Sequence, residues 1–177
     1  MNLMLRSTKL LFAVSILVWG FPSISNAAVT KYGVTVSECD FDYENEKFCT
    51  DDRLKSYANV LQTGEPNFDG DKILYLFETN ETGFVGQKPY RLVVIDTSTK
   101  TVHPFGYALS PASDSYGNPV AVNKAGAIVE FDFNIGSDRF CFSGNIDAYR
   151  MSDNYKQGKP FCFKFDKTEQ ELVREYY

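Results

Sequence analysis

The sequence predicts an all-β protein built mainly of antiparallel meander sheets, with one helix near the N-terminus. Three observations predict this class. Runs rich in β-branched and aromatic residues alternate with short polar turns between residues 72 and 165. A helical periodicity long enough for a substantial helix occurs in the mature sequence between Thr50 and Gly64. Four cysteines accompany the β-rich segments, which is typical of an exported, disulfide-containing domain.

Residues 1–27 have the organisation of an export signal. Arg6 and Lys9 give a positively charged start, an uninterrupted apolar run follows, and small residues precede the expected cleavage after Ala27. The run is shorter than a bilayer-spanning helix requires, which favours a cleaved signal over a membrane anchor. The sequence therefore predicts a soluble protein of the periplasm, or an extracellular one outside Gram-negative bacteria, with a single domain at residues 28–177.

The charge balance is acidic. The chain has a net charge of −5, and removal of residues 1–27 would take away Arg6 and Lys9 and no acidic residue, which changes the net charge to −7. An acidic surface disfavours nucleic acid and anionic membranes as partners, whereas it attracts a basic protein over long range. We therefore expect a protein partner.

The cysteines predict two disulfides. An even number in an exported chain indicates complete pairing, and four cysteines allow three pairings. Proximity in sequence favours Cys39 with Cys49 and Cys141 with Cys162. No Cys-x-x-Cys redox motif is present, and a single histidine in the chain disfavours a Cys/His zinc site.

The segment between Thr50 and Gly64 predicts the helix. Thr50 or Asp51 can cap its first turn, and Gly64 can adopt the left-handed conformation that often ends a helix. A disulfide between Cys39 and Cys49 would close a loop immediately before it. Its apolar face consists of Leu54, Tyr57, Val60 and Leu61.

Residues 67–71 with Glu78 partly match the spacing of a calcium-binding loop. Lys72 stands where such a loop needs glycine, and the strand expected from Lys72 to Glu78 would hold Glu78 away from the other ligands. The segment is therefore interpreted as a turn leading into a strand. We expect no metal site and no cofactor.

The central segment from Tyr90 to Phe133 predicts two consecutive hairpins in one four-stranded meander, with turns at residues 96–100 and 123–126. His103 precedes Pro104, and since proline donates no ladder hydrogen bond, this strand is an edge strand or ends there. We therefore expect His103 on an edge or at the surface. A serine or cysteine nucleophile normally needs a histidine base and an orienting group, and the sequence also has no Gly-x-Ser-x-Gly motif. It therefore predicts no catalytic residues and a protein that is not an enzyme.

The stretch from Ser110 to Pro119 predicts a constrained loop. Its small polar residues cannot form a core, and its two prolines restrict the conformations that it samples. Such a loop can enter a groove of a partner with little loss of conformational entropy, although an ordinary surface connection has the same composition. The candidate partner-binding residues are Ser110, Ser113, Asp114, Ser115 and Tyr116.

Two later segments, Arg139–Phe142 and Lys159–Phe165, place a cysteine between phenylalanines. If they form neighbouring strands, a disulfide on one face would accompany paired aromatic rings on the other. After them, Thr168 and Glu171 have the spacing of a capping box, which predicts a short final helix.

Two parts of the central segment resemble β-propeller repeats. Leu92–Thr97, with its turn and Thr101-Val102, is similar to a blade hairpin, and Val120–Gly126 is similar to the start of the next blade. The resemblance implies a small or incomplete propeller-like body, and at about 40 to 45 residues per blade the chain length also fits a curved sandwich of meander sheets. The alternative is an up-and-down barrel of about eight strands.

The overall profile resembles the periplasmic immunity proteins of type VI secretion amidase effectors. The shared features are the export signal, disulfides, acidity, β-rich body and presented loop, and the resemblance implies an inhibitor of a basic, peptidoglycan-degrading toxin enzyme. Ser143-Gly144 with Tyr149, and Tyr155 with Lys156 and Gly158, are similar to elements of periplasmic C-type lysozyme inhibitors at different spacings. A third possibility is a ligand-binding or adhesive β domain.

Overall fold

The fold is that of a computed structural model, which describes residues 28–41, 46–79, 88–149 and 158–176. The predicted export signal at residues 1–27 lies outside this part of the chain, as do Tyr155 and Lys156. No helix within it is long and apolar enough to cross a membrane. The described chain is mostly β, with one α-helix and two sheets, as the predicted fold class requires.

The first sheet has five strands. They are β1 (Val29–Lys31), β2 (Val34–Val36), β3 (Lys72–Glu78), β4 (Tyr90–Asp96) and β5 (Thr101–Pro104). Their order is β1-β2-β5-β4-β3, and the pairing is antiparallel except between β2 and β5. The strand from residue 72 to residue 78 and the hairpin around residues 96–100 are confirmed.

The second sheet is a four-stranded antiparallel meander. Its strands are β6 (Glu130–Asp132), β7 (Arg139–Ser143), β8 (Phe161–Asp166) and β9 (Glu171–Arg174), in sequence order. A short 3₁₀ turn covers Asp147–Tyr149. Both sheets are open over the described residues, so the alternative of a closed eight-stranded barrel is wrong.

The prediction of one meander from Tyr90 to Phe133 is also wrong. Its first hairpin belongs to the first sheet, and its only later strand, β6, belongs to the second. The turn at residues 123–126 forms, but its flanks do not build a strand pair. Instead, the Val120 amide donates to the Ala112 carbonyl and the Ala112 amide donates to the Ile128 carbonyl. The segment is therefore bonded to the 110–119 loop.

Strand β4 lies at the centre of a three-layered packing. Leu92 and Val94 face the second sheet, whereas Val93 and Ile95 face the layer that contains the helix, because successive side chains of a strand point to opposite sides. Both faces are covered, which explains the unbroken apolar run from residue 92 to residue 95.

Helix α1 spans Asp51–Thr63 and packs Leu54 and Tyr57 into the core. The Thr50 side chain accepts a hydrogen bond from the Arg53 amide, so the N-cap is Thr50, the first of the two predicted candidates. Gly64, however, is extended, with φ −83° and ψ 154°, and not left-handed. A Cβ at this position would lie 2.6 Å from the Val60 carbonyl oxygen. Glycine is needed there for close backbone approach.

Both disulfides favoured by sequence proximity are present, and the described residues contain no free cysteine. Cys39–Cys49 precedes α1. Cys141 lies directly opposite Cys162 in the β7–β8 ladder, and the flanking rings of Phe140 and Phe163 stack on the other face at 6.2 Å between centroids. The predicted division into a disulfide face and an aromatic face is confirmed.

His103 is not at an edge or at the surface. It is 5% exposed, because β2 pairs with β5 on the side away from β4 and the His103 ring packs 6.0 Å from that of Phe165. The strand does end at Pro104. Burial lowers the pKa of His103, with a further lowering by Lys72, and the charge of Asp96 only partly opposes this.

The predicted final helix is a hairpin. The Asp166 carboxylate accepts hydrogen bonds from the amides of Thr168 and Glu169 at 2.7 and 3.1 Å, and Gln170 has a positive φ of 58°. The chain then returns as β9 alongside β8. Pairing with β8 therefore outweighs the local capping-box preference.

Candidate functional site

The 110–119 loop is anchored at its base to both sheets. Leu109 exchanges backbone hydrogen bonds with Tyr90 at the start of β4. Ser110 exchanges two more, both 2.8 Å, with Asn145 just beyond β7. The loop therefore leaves the body from a fixed position between the two sheets.

Gly144 makes this base possible. A Cβ at Gly144 would lie 2.2 Å from Cζ of Phe142 and 2.6 Å from the Ser110 carbonyl oxygen. Phe142 is fully buried and Ser110 is held by its backbone bonds, so neither has room to move away. Only a residue without a side chain allows the two segments to approach this closely.

Asp114 holds the tip of the loop together. Its Oδ1 accepts hydrogen bonds from the amides of Tyr116 and Asn118 at 2.9 and 2.8 Å, and its Oδ2 accepts one from Nδ2 of Asn118 at 3.0 Å. Gly117 supplies the positive φ of 84° that the turn requires. The side-chain bond from Asn118, followed by the backbone amides, lowers the pKa of Asp114. The carboxylate therefore stays ionised and continues to hold the loop at neutral pH.

A neighbouring turn supports the returning half of the loop. Oδ1 of Asn123 accepts hydrogen bonds from the amides of Ala125 and Ala127 at 3.0 and 3.1 Å. Ala112 connects this turn to the loop through its bonds to Val120 and Ile128. The 110–119 loop and the turn at residues 123–127 thus form one hydrogen-bonded unit.

Tyr116 is the most exposed large apolar side chain described, with 89% of its surface accessible. Ser115 is also exposed at the tip, whereas Ser113 is half-buried and lies opposite Pro119 in an isolated bridge. Ser110 is half-buried at the base. The five predicted residues thus lie on one loop, but in different positions: Ser110 belongs to the base, Asp114 to the internal bonding, and Ser115 and Tyr116 to the accessible tip.

Sequence reasoning missed a groove beside the loop, with a volume of about 430 Å³. Ala112 and Val120 form part of one side, and Ser143 and Gly144 belong to its wall. Val120 is 43% exposed, which adds an apolar surface next to the tip. No sequence signal indicates this groove, because it arises where residues 112–122 lie against the end of β7.

The acidic segment at residues 69–71 surrounds a lysine. Nζ of Lys72 lies 2.8 Å from Asp71 and 3.4 Å from Asp69, and the side chain is largely buried. Burial by itself would lower the pKa of Lys72. The hydrogen bond to Asp71 and the negative charges of Asp71 and Asp69 outweigh this effect and raise the pKa. Glu78 lies at the opposite end of β3, about 20 Å along the strand. The described side chains contain no group of three or more His, Cys, Asp or Glu that could hold a metal ion.

Comparison of the chain with protein-family models, with curated proteins and with solved structures found no match.

Proposed function

We propose that this protein is a periplasmic inhibitor, of the immunity-protein kind, which blocks the active-site cleft of a basic peptidoglycan-degrading enzyme. The observation that carries the proposal is a hydrogen-bonded loop with a tyrosine 89% exposed at its tip. A pre-ordered loop loses little conformational entropy on binding. Aromatic side chains are also frequent energetic anchors of protein interfaces.

Compartment and charge support this choice of partner. The two disulfides are compatible with an oxidising, extracytoplasmic compartment. The net charge of −7 expected after removal of residues 1–27 would accelerate association with a cationic enzyme. Electrostatic attraction of this kind acts on the association rate, so inhibition should weaken as ionic strength rises.

In the proposed complex, the Tyr116 ring enters the cleft of the enzyme, and the hydroxyl groups of Ser113 and Ser115 are the hydrogen-bonding candidates beside it. Asp114 acts indirectly, since both of its oxygens already bond within the loop. The groove next to Val120 would receive a side chain from the rim of the enzyme. This division separates contact residues from the residue that orders them.

The test is to co-express the mature protein with a periplasmic peptidoglycan amidase and to measure lysis, followed by the dissociation constant of the purified pair. Tyr116→Ala should weaken binding by ~1 to 3 kcal/mol, which is roughly 5- to 150-fold. Tyr176→Ala is the matched control, because it removes another tyrosine of similar exposure (81%) outside the loop. It should leave inhibition unchanged.

Asp114→Ala distinguishes ordering from contact. It should weaken binding while leaving the melting temperature within about 2 °C of the wild type, because a surface loop contributes little to global stability. Equal protection by the wild type, Tyr116→Ala and Asp114→Ala would refute the loop assignment. Failure to bind any basic peptidoglycan hydrolase would refute the inhibitor function itself.

A further inference from the structure

A second cleft, here called the edge cleft, lies between the end of β5 and strand β9 and has a volume of about 470 Å³. Phe105 and Tyr107 lie on one side, Tyr149 is part of its wall, and Leu172 and Arg174 of β9 lie on the other side. It shares no lining residue with the 110–119 loop. The edge cleft is therefore separate from the loop to which the inhibitor function is assigned.

The cleft exposes one edge of β9. The amide of Glu175 donates to the Cys162 carbonyl at 2.9 Å, and alternate residues of an antiparallel strand bond to the same neighbour. The backbone amide and carbonyl groups of Glu171 and Val173 therefore point towards β8, whereas those of Leu172 and Arg174 point away from it. β9 is the last strand of the second sheet, and no backbone hydrogen bond in the described chain reaches those outward groups.

Arg174 presents a cation in the same cleft. Its guanidinium carbon lies 4.1, 4.9 and 5.5 Å from the ring centroids of Tyr149, Tyr176 and Phe161. Nε is buried without a hydrogen-bond partner, and no described carboxylate lies within ion-pair distance of the side chain. A guanidinium held by aromatic faces retains its capacity for a carboxylate, which its planar geometry binds with two hydrogen bonds.

Negative side chains also line the cleft and limit what can bind there. Glu169, two residues before β9, and Glu171, the first residue of β9, are exposed, so a simple anion would be repelled. A ligand that carries both a carboxylate and a positive charge fits better. The outward backbone groups of Leu172 and Arg174 additionally favour a ligand with its own extended backbone.

We propose that the edge cleft binds the C-terminal end of an extended peptide. The peptide adds as a strand along β9, its terminal carboxylate pairs with Arg174, and a basic side chain lies near Glu169 or Glu171. Its apolar side chains on the inner face contact Phe105 and Tyr107. Strand addition supplies backbone hydrogen bonds, and the arginine selects a free chain end over an internal segment.

Isothermal titration with an N-acetylated pentapeptide of alternating valine and lysine provides the test. The form with a free carboxylate should bind the mature protein at least tenfold more tightly than its C-terminal amide, because a charge-assisted hydrogen bond is lost in the amide. Methylation of the central backbone nitrogen should also weaken binding, since strand addition requires that amide.

Arg174→Gln should abolish the preference for the free carboxylate, and Arg174→Lys should reduce it. Lys164→Gln is the control: it removes a positive charge from the neighbouring strand, where the side chain is 59% exposed, and should retain the preference. Circular dichroism establishes that each variant is folded, and Arg174→Lys decides the test if Arg174→Gln does not fold. Equal binding of acid and amide, or no binding up to the millimolar range, would overturn the proposal.

Discussion

Replacement of Gly144 by alanine tests whether the loop is positioned by its base. The new Cβ would lie 2.2 Å from Cζ of Phe142 and 2.6 Å from the Ser110 carbonyl oxygen, both well inside van der Waals contact. Phe142 has no exposed surface and packs 5.4 Å from the ring of Phe131. The strain therefore has to be relieved by displacing either this ring or the Ser110–Asn145 backbone bonds.

Overpacking of a core by a single group costs roughly 1–3 kcal/mol, and contact with both a buried ring and the backbone places Gly144→Ala near 3 kcal/mol. For a domain of this size, each kcal/mol lowers the melting temperature by roughly 2–4 °C. We therefore expect a decrease of about 6–12 °C. Inhibition should weaken as well, because the loop would leave the body at a different angle.

The measurement is thermal unfolding followed by far-ultraviolet circular dichroism, since the one tryptophan, Trp19, lies in the predicted export signal. Gly136→Ala is the matched control. Its Cβ would meet only Oδ1 of Asn134, at 3.4 Å, and its φ is not positive, so the change should be neutral or slightly stabilising. A melting temperature for Gly144→Ala within about 1 °C of the wild type would refute the reasoning about the base of the loop.

Two further predictions concern stability. Replacing Cys141 and Cys162 by alanine removes a disulfide that links residues 21 positions apart. The free energy of unfolding, measured by urea titration, should fall by about 3 kcal/mol, and a decrease below about 1 kcal/mol would contradict this. Burial raises the pKa of Asp96, but bonds from Ser98 and Thr99, with Lys72, outweigh this and lower it to about 2. The pKa of Asp96 is lower in the folded state than in the unfolded state, so the ionised carboxylate stabilises the fold above about pH 4. This stabilisation is lost as the pH falls towards about 2. Asp96→Asn should therefore cost about 1–2 kcal/mol at pH 7 and little at pH 2, and an equal cost at both would refute the assignment.

Local signals predicted the elements whose interactions are close in sequence. Thr50 caps α1 because its side chain reaches an amide three residues later, and the β4–β5 hairpin turns where the Asp96 carboxylate accepts the amides of Ser98 and Thr99. The alternation of cysteine with phenylalanine in residues 139–142 and 159–165 likewise predicts two adjacent strands whose cysteines lie opposite each other. Each of these features requires only neighbouring residues or a strong periodic pattern.

The composition of residues 110–119 predicts a constrained loop, but it does not predict the hydrogen bonds that hold this loop together. The sequence names Asp114 as a partner-binding candidate, and the structure adds that both of its oxygens bond within the loop itself. The importance of Gly144 depends on Ser110, which is 34 residues away in the chain. The position of Arg174 over Tyr149 likewise depends on a distant segment, and no periodicity indicates such contacts.

The sequence by itself determined the β-rich class, helix α1, the strand from residue 72 to residue 78 and both disulfide pairs. These features depend on the spacing of apolar residues, on helix capping and on contacts between residues that are close in sequence, all of which act locally. Only the tertiary structure decided that β2 runs parallel to β5 and buries His103, that residues 90–133 divide between two sheets, and that the chain after Asp166 returns as a strand. These outcomes depend on which surfaces compete for burial across the whole domain. That competition outweighs local propensity, because a strand gains most of its stability from the neighbours that it pairs with and packs against.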